Sequence, residues 1–308
     1  MAAKKNNTTL HSAKPFLKWA GSKRQLIKQF IDIYPQQLKD GTIENYYEPF
    51  LGSGAVFFDI GQRYKIKNAW LGDVNEDLVL TYKIIQARVS ELTAVLYHHE
   101  KKYLALNKKE RVAYFYEQRT TFNAHRFDKD INRNTDKGIA RAAQLIFLNR
   151  TCFNGLFRVN STGEFNTPPG DYTKPSICDQ ENLLAVSGLL AIANIKKVDY
   201  ISSIKNIRPA SFIYFDPPYR PLSATSSFTA YSKSAFTDVQ QSQLAQVCKD
   251  LNKKGTFIML SNSDTKDGFF DNLYKNFHVM RVPAKRMINS DASKRGHINE
   301  IVVTNYPV

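Results

Sequence analysis

Two short runs in this chain bring together residue types that could move a small group onto a flat amine. Asp216-Pro217-Pro218-Tyr219 sets a carboxylate, a proline pair and an aromatic ring within four residues. An amine attached to an aromatic ring is a poor nucleophile, because its lone pair is delocalised, and it must be held by acceptors that favour a tetrahedral nitrogen. The Asp216 carboxylate and the Pro217 carbonyl suit that task, two prolines rigidify the backbone that aims them, and Tyr219 offers a face on which a base could stack. In an arbitrary protein such a run is more often a rigid turn after a strand. The second run, Glu48-Pro49-Phe50-Leu51-Gly52-Ser53-Gly54, is a glycine turn where backbone can approach a ligand closely. Asp73 follows at about 20 residues, the offset at which an acid can grip ribose hydroxyls. The run lacks the GxGxxG of pyrophosphate binders, and no GxxxxGK[ST] loop exists, so a nucleoside ligand without a phosphate chain fits better. A third cluster, Lys18-Trp19-Ala20-Gly21-Ser22-Lys23, holds an indole between two cations and suits either a structural anchor or the lining of a site.

These runs need elements to place them. Residues 45–50 read as an aromatic strand entering the glycine turn, 55–64 as a helix, 69–74 as a strand closed by Asp73, and 75–87 as a second helix. Strand, helix, strand, helix is the mark of a parallel α/β sheet. Residues 90–150 are helical in pattern and heavily charged, and 151–179 turn rich in Asn, Thr, Gly and Pro, so the two read as an inserted module. Strand patterns resume at 197–201, 211–215 and 255–260. The runs 277–282 and 300–305 suit an antiparallel pair at the sheet edge, flanking a basic loop with Lys285, Arg286, Lys294 and Arg295. The second strand of the three puts Asp216 at its C-terminal end, where open α/β sheets bind ligands.

Bulk properties narrow the partner. The chain has 308 residues, with 43 Lys plus Arg against 28 Asp plus Glu, a formal charge of +15. One large domain or two unequal ones fit that length. A positive field of this size concentrates polyanions, and nucleic acid leads by charge alone. Cys152, Cys178 and Cys248 form no CxxC pair, so neither a zinc site nor a disulfide framework is expected, and the thiols are read as reduced. Residues 1–14 are polar and basic without the apolar run of a signal peptide, and no stretch approaches a membrane span. The expectation is a soluble intracellular protein.

With both clusters in hand, the chain resembles the DNA adenine methyltransferase (Dam) family, of the alpha class and D12 type. The likeness runs over residues 15–306 and includes Phe16-Leu17-Lys18-Trp19-Ala20-Gly21, the run from Glu48 to Gly54, Gly72-Asp73-Val74-Asn75 and Phe153-Asn154-Gly155-Leu156-Phe157-Arg158. It continues through Gly163-Glu164-Phe165-Asn166, Phe215 to Tyr219, Pro221-Leu222-Ser223, Phe228-Thr229-Ala230-Tyr231 and Leu260-Ser261-Asn262-Ser263. The resemblance implies a Rossmann-like α/β methyltransferase sheet with an inserted, mainly helical target-recognition module. Residues 1–14 are then a basic tail, 15–88 and 196–308 the catalytic domain, and 89–195 the insert. It implies S-adenosyl-L-methionine as cofactor, S-adenosyl-L-homocysteine as product, and contacts from Trp19, Lys23, Glu48, Phe50, Gly52, Gly54, Asp73 and Asp216. It implies catalysis by Asp216, Pro217 and Tyr219 on an extruded adenine of double-stranded GATC. DNA contacts are implied for Lys18, Asn154, Leu156 and Pro168, with Arg158 reading guanine and Phe153 wedging into the duplex. A monomer in bacterial or phage cytoplasm is expected, with a cognate restriction endonuclease as a possible partner. At Asp171 the better-known members carry a basic residue, which implies a weaker or shifted phosphate contact. Residues 124–137 match too poorly to carry any contact over.

Two other classes stay open on sequence. An S-adenosylmethionine enzyme acting on an RNA base or a protein glutamine would use the same tetrapeptide, without explaining the run from Phe153 to Arg158. A non-catalytic DNA-binding protein of the same fold would be favoured by an altered Asp216 or Tyr219, and both are intact.

Overall fold

The computed structural model describes residues 12–220, 236–285 and 297–308. The basic residues Arg286, Lys294 and Arg295, the Pro221-Leu222-Ser223 and Phe228 to Tyr231 runs, and most of the N-terminal tail lie outside the described residues.

The chain opens with a 3-10 turn at Lys23–Gln25, then α1 (Ile27–Ile33) and α2 (Gln36–Lys39). Next come β1 (Asn45–Glu48), α3 (Ala55–Arg63), β2 (Asn68–Asp73), α4 (Glu76–Ala105), α5 (Lys108–Ala124) and α6 (Asp136–Thr151). After a 3-10 turn at Phe153–Gly155 follow α7 (Gln180–Leu190), β3 (Ala193–Lys197), α8 (Tyr200–Ser203) and β4 (Ser211–Phe215). The last elements are α9 (Asp238–Lys253), β5 (Phe257–Ser263), α10 (Phe269–Leu273), β6 (His278–Lys285) and β7 (His297–Thr304).

The seven strands among the described residues form one sheet in the order β3-β2-β1-β4-β5-β7-β6. The first five are parallel, while β7 runs antiparallel to both β5 and β6. The chain moves outward from β1 to β3 and then returns to place β4 on the other side of β1. The β1/β4 boundary is therefore the switch point, where a crevice opens at the carboxyl ends of the strands. All five residues of β4 are buried, as expected for a strand covered on both faces. Tyr46, Phe212 and Tyr214 belong to the core shared with α1, α3, α4 and α7, whereas Tyr47, Ile213 and Phe215 belong to the core under α9 and α10. The period-2 alternation of a strand thus sorts one run of apolar residues into two layers.

One strand differs from the sequence expectation. β3 is Ala193–Lys197, not residues 197–201, and Tyr200–Ser203 is helical. Asp199 caps that helix by accepting from Ser202 N at 2.9 Å. The apolar residues at 198, 200 and 201 had looked like a strand, but the real one is an edge strand with polar, exposed positions, which leaves little hydrophobic signal.

The helix that follows β2 is longer than the pattern of 75–87 implies. Asn75 caps it by accepting from Leu78 N, and it breaks at Arg88 (φ −139°, ψ 39°) before continuing to Ala105. Arg88 bridges that break to Asp136 in the first turn of α6 at 2.9 Å. α6 packs along α4, and its buried Ile139, Leu145 and Phe147 join the core on one side of the sheet. Buried Arg141 of α6 donates from Nη2 to Asp77 Oδ2 at 3.0 Å and from Nη1 to the Phe122 carbonyl at 2.7 Å. Among the described residues no helix is long and apolar enough to cross a membrane.

Candidate active site

The glycine turn after β1 is built by tight contacts. Gly52 and Gly54 have φ of 48° and 67°, in the left-handed region that glycine adopts without strain. A Cβ on Gly54 would sit 2.7 Å from Tyr82 Oη, and one on Gly52 would sit 3.2 Å from Trp19 Cδ1. Asp73, at the end of β2, accepts from Gly52 N at 3.0 Å and from Asn75 N at 2.8 Å. Burial raises its pKa, and these backbone donors pull the other way. An ionised carboxylate has about four acceptor positions, so Asp73 keeps capacity for hydroxyl donors. Val74 beside it is 56% exposed, an apolar platform next to the acid. Phe50 turns toward the α9 side, stacking on Tyr200 at 5.3 Å and meeting Phe236 edge-on at 5.8 Å.

Across the switch point, β4 delivers Asp216. Lys23, 3% exposed, sits 2.7 Å from Asp216 Oδ2 and 2.6 Å from Oδ1, and also donates to the Gly21 carbonyl at 2.6 Å. Ser261 of β5 donates to Asp216 Oδ1 at 3.3 Å and shares a 2.6 Å hydrogen bond with the Tyr214 hydroxyl. Burial pushes the Asp216 carboxyl up to about 6, against the pull of Lys23. Glu48 is 2% exposed and accepts from Tyr46 Oη at 2.7 Å. Burial pushes it up to about 8, and the Asp216 charge adds to that rise. Two neighbouring acids with raised pKa values, Glu48 buried and Asp216 half-buried, suit a cationic ligand, which would favour their ionised forms.

The tetrapeptide is braced from several strands. The Pro218 carbonyl accepts from Gln241 Nε2 at 3.2 Å, and Gln241 in turn accepts from Asn262 Nδ2 at 3.2 Å. Arg220 N donates to Asn262 Oδ1 at 3.3 Å, and the Arg220 carbonyl accepts from Ser263 Oγ at 2.8 Å. The Arg220 guanidinium grips Asp238 and Asp267. The Tyr219 hydroxyl donates to Glu300 on β7, and Lys23 Nζ lies 4.7 Å from the Tyr219 ring centroid. Pro217 is buried.

The segment after α6 forms a separate exposed surface. Phe153 is 52% exposed. Its N–H donates to the Pro168 carbonyl at 2.9 Å, and Asn154 beside it takes a left-handed φ of 54°. Gly155 must be glycine, because a Cβ there would lie 2.4 Å from Lys18 Cβ. Asn149 clamps the backbone of Lys18, accepting from its N and donating to its carbonyl, both at 2.8 Å. Leu156 is half-buried, and its carbonyl accepts from Thr167 Oγ1 at 2.7 Å. Arg158 is exposed, donating from Nε to Asn166 Oδ1 at 2.8 Å across a small hairpin bridged at Val159 and Phe165. Asp171 pairs with exposed Lys108 at 2.9 Å.

The expected site residues thus fall into two groups. Lys23, Glu48, Gly52, Gly54, Asp73, Asp216, Pro217 and Tyr219 gather at the switch point, with Phe50 behind them in an aromatic layer. Lys18, Phe153, Asn154, Leu156, Arg158 and Pro168 form the other surface. Trp19 joins the two, packing on the Gly52 turn and stacking on Phe157 at 5.3 Å. Sequence reasoning overlooked Gln241, Glu300 and Val74 and gave no role to Ser261 or Asn262. A run of Ser, Asn and Ser ending the otherwise apolar β5 was a readable signal, since polar residues in a buried strand need partners.

A parallel sheet closed by an antiparallel β7, with a glycine turn after β1, an acid after β2 and an acid-proline tetrapeptide after β4, is an S-adenosylmethionine-dependent methyltransferase fold. The model of the D12 class of N6 adenine-specific DNA methyltransferases matches residues 19–288, and the chain belongs to that family. It is 44% identical over 294 residues to the type II methyltransferase M.MjaIII of Methanocaldococcus jannaschii, covering 95% of this chain and 99% of that protein. It is 36% identical to the type II methyltransferase M1.LlaDCHI of Lactococcus lactis subsp. cremoris, covering 95% of each. It is also 32% identical to the DNA adenine methylase of Escherichia coli K12, again covering 95% of each.

Proposed function

We propose that this DNA adenine methyltransferase acts at GATC in double-stranded DNA, extruding the adenine and methylating its exocyclic amine by direct in-line transfer. The observation that carries the reading is Asp216 at the switch point, half-buried, ion-paired to Lys23 and beside the braced Tyr219. The residues present fit S-adenosyl-L-methionine. The glycine turn is held by Asp73, which keeps acceptor capacity for ribose hydroxyls, and Glu48 with Asp216 offers two acids to a cation. Trp19, Lys23, Glu48, Phe50, Gly52, Gly54, Asp73 and Asp216 would hold it. When bound, it supplies a methyl group on a cationic sulfur and leaves as S-adenosyl-L-homocysteine.

The protein's own contribution is positioning and electrostatics. Asp216 accepts from one N–H of the adenine amine, and the Pro217 carbonyl accepts from the other, so the nitrogen leaves the ring plane and its lone pair becomes available. Asp216 is an orienting acceptor more than a strong base: the nitrogen turns cationic as the methyl bonds to it and then releases one of its protons along the hydrogen bond to Asp216 and on to water, and no covalent bond to the protein forms. Tyr219 stacks the base, worth roughly 1 to 3 kcal/mol. Arg158 reads guanine with a bidentate contact, Phe153 wedges beside the extruded adenine, and Lys18, Asn154, Leu156 and Pro168 complete the DNA surface. Residues 15–88 and 196–308 act as the catalytic domain and 89–195 as the recognition insert, in a cytoplasmic enzyme. The type II names of two relatives support pairing with an endonuclease at the same site.

Asp216→Ala is expected to keep DNA binding, measured by fluorescence anisotropy, while single-turnover methylation falls by about two to three orders of magnitude. Turnover unchanged in that variant would refute the assignment.

A further inference from the structure

Tyr219 is held at its hydroxyl, and its neighbours Pro218 and Arg220 are held along the backbone. The acceptor, Glu300, is 7% exposed and lies on β7, where it pairs with Ser263 of β5 and Val282 of β6. In the sheet order β7 lies two places from β4, the strand that carries the tetrapeptide. An acid at a strand position followed by buried Ile301, Val302 and Val303 costs desolvation unless it is paired. The hydrogen bond recorded for it among the described residues goes to Tyr219. Burial, with the Asp216 and Glu300 carboxylates, holds the Tyr219 phenol well above its ordinary range, so it remains a donor. Lys23 Nζ lies over the same ring, and Lys23 is itself tied to Asp216. Edge and face of the ring are thus both specified.

We propose that Glu300 is a positioning residue for methyl transfer, acting through the Tyr219 hydroxyl to hold the ring in the plane on which the adenine stacks. This rests on the reading of Tyr219 as the stacking residue. A charge-assisted hydrogen bond fixes the ring more firmly than a neutral one. It also enriches the ring's electrons, and such a face attracts an amine that becomes cationic during transfer. Neither effect requires Glu300 to touch the DNA or the cofactor.

The test uses the full chain with Glu300→Leu, Glu300→Gln, Tyr219→Phe, Tyr219→Ala and the double variant Glu300→Leu/Tyr219→Phe. Measured quantities are kcat, the KM for duplex DNA, the thermal midpoint, and emission of 2-aminopurine placed at the target adenine. Glu300→Leu is expected to lower kcat about tenfold, with KM changed less than about twofold and a changed 2-aminopurine signal. Glu300→Gln, which keeps an acceptor, returns kcat to within about threefold of the parent. In the Tyr219→Phe background Glu300→Leu adds less than about twofold, because the hydroxyl through which it acts is gone. Additive losses, or a Glu300→Leu enzyme with parental kcat while Tyr219→Ala is impaired, overturn the positioning role alone. Parental emission and turnover in Tyr219→Ala overturn the stacking reading beneath it. Should Glu300→Leu fail to fold, Tyr219→Phe decides alone: it removes the hydroxyl through which Glu300 acts and is expected to lower kcat about tenfold with KM little changed, and a parental kcat in that variant overturns the positioning role.

Discussion

At the scale of single residues, the centre of the molecule is an acid that its surroundings hold part-way between two charge states. Burial raises Asp216 to about 6, while Lys23 at 2.6 Å keeps it from rising further. An accepting Asp216 must be ionised, so activity is expected to rise with pH as this group loses its proton. We expect kcat/KM to climb through about pH 6 and level off above it, falling about tenfold for each unit below. A pH profile of initial rates checks this, and a flat profile between pH 5 and 7 would contradict the role of Asp216. The tetrapeptide was legible in the sequence because its chemistry is local: acid, prolines and ring stand side by side. Its support was not legible. Gln241, Ser261, Asn262 and Glu300 come from α9, β5 and β7, and their partnership with residues 216–220 exists only once the sheet has formed. Val74 escaped for a different reason, since an apolar residue reads as core until its 56% exposure is seen.

At the scale of elements, the strands that carry the site and the antiparallel pair β6 and β7 at one edge of the sheet were readable, and the opposite edge, β3, was not. β1, β2 and β4 are central, so burial on both faces gives them continuous apolar or aromatic runs that propensity and pattern both detect. β3 is an edge strand with polar, exposed positions, and the apolar residues just beyond it belong to a turn and the short α8. α6 is tied to α4 by a pair that sequence distance conceals. Arg141 is buried and bonds to Asp77 in the first turn of α4, 64 residues away. Removing one member of such a pair leaves a buried charge without its partner. Asp77→Ala is therefore expected to lower stability by about 3 kcal/mol, read from urea unfolding, while Arg63→Ala, which removes an exposed guanidinium from its pair with Asp59 on α3, serves as a control of small effect. Unchanged stability in Asp77→Ala would show that α6 is secured on α4 by apolar packing alone.

At the scale of the whole molecule, a net charge of +15 makes DNA binding strongly dependent on salt, because each neutralised phosphate releases counterions. Asp171 subtracts from that field and engages Lys108 in an exposed pair. Asp171→Arg is expected to tighten duplex binding and to steepen the slope of log affinity against log salt by about one. A slope equal to the parent's would place residue 171 outside the reach of the backbone. Charge sets the approach to DNA, but it carries no sequence information, and the choice of site is assigned to the surface around Phe153 and Arg158. The central claim joins that surface to the switch-point site, and mapping methylated adenines across a genome-length DNA exposed to the purified protein tests it most directly. Methyl groups on the adenine of GATC and nowhere else are the predicted result; methylation spread over other sequences, or methylated DNA with GATC left bare, would contradict it.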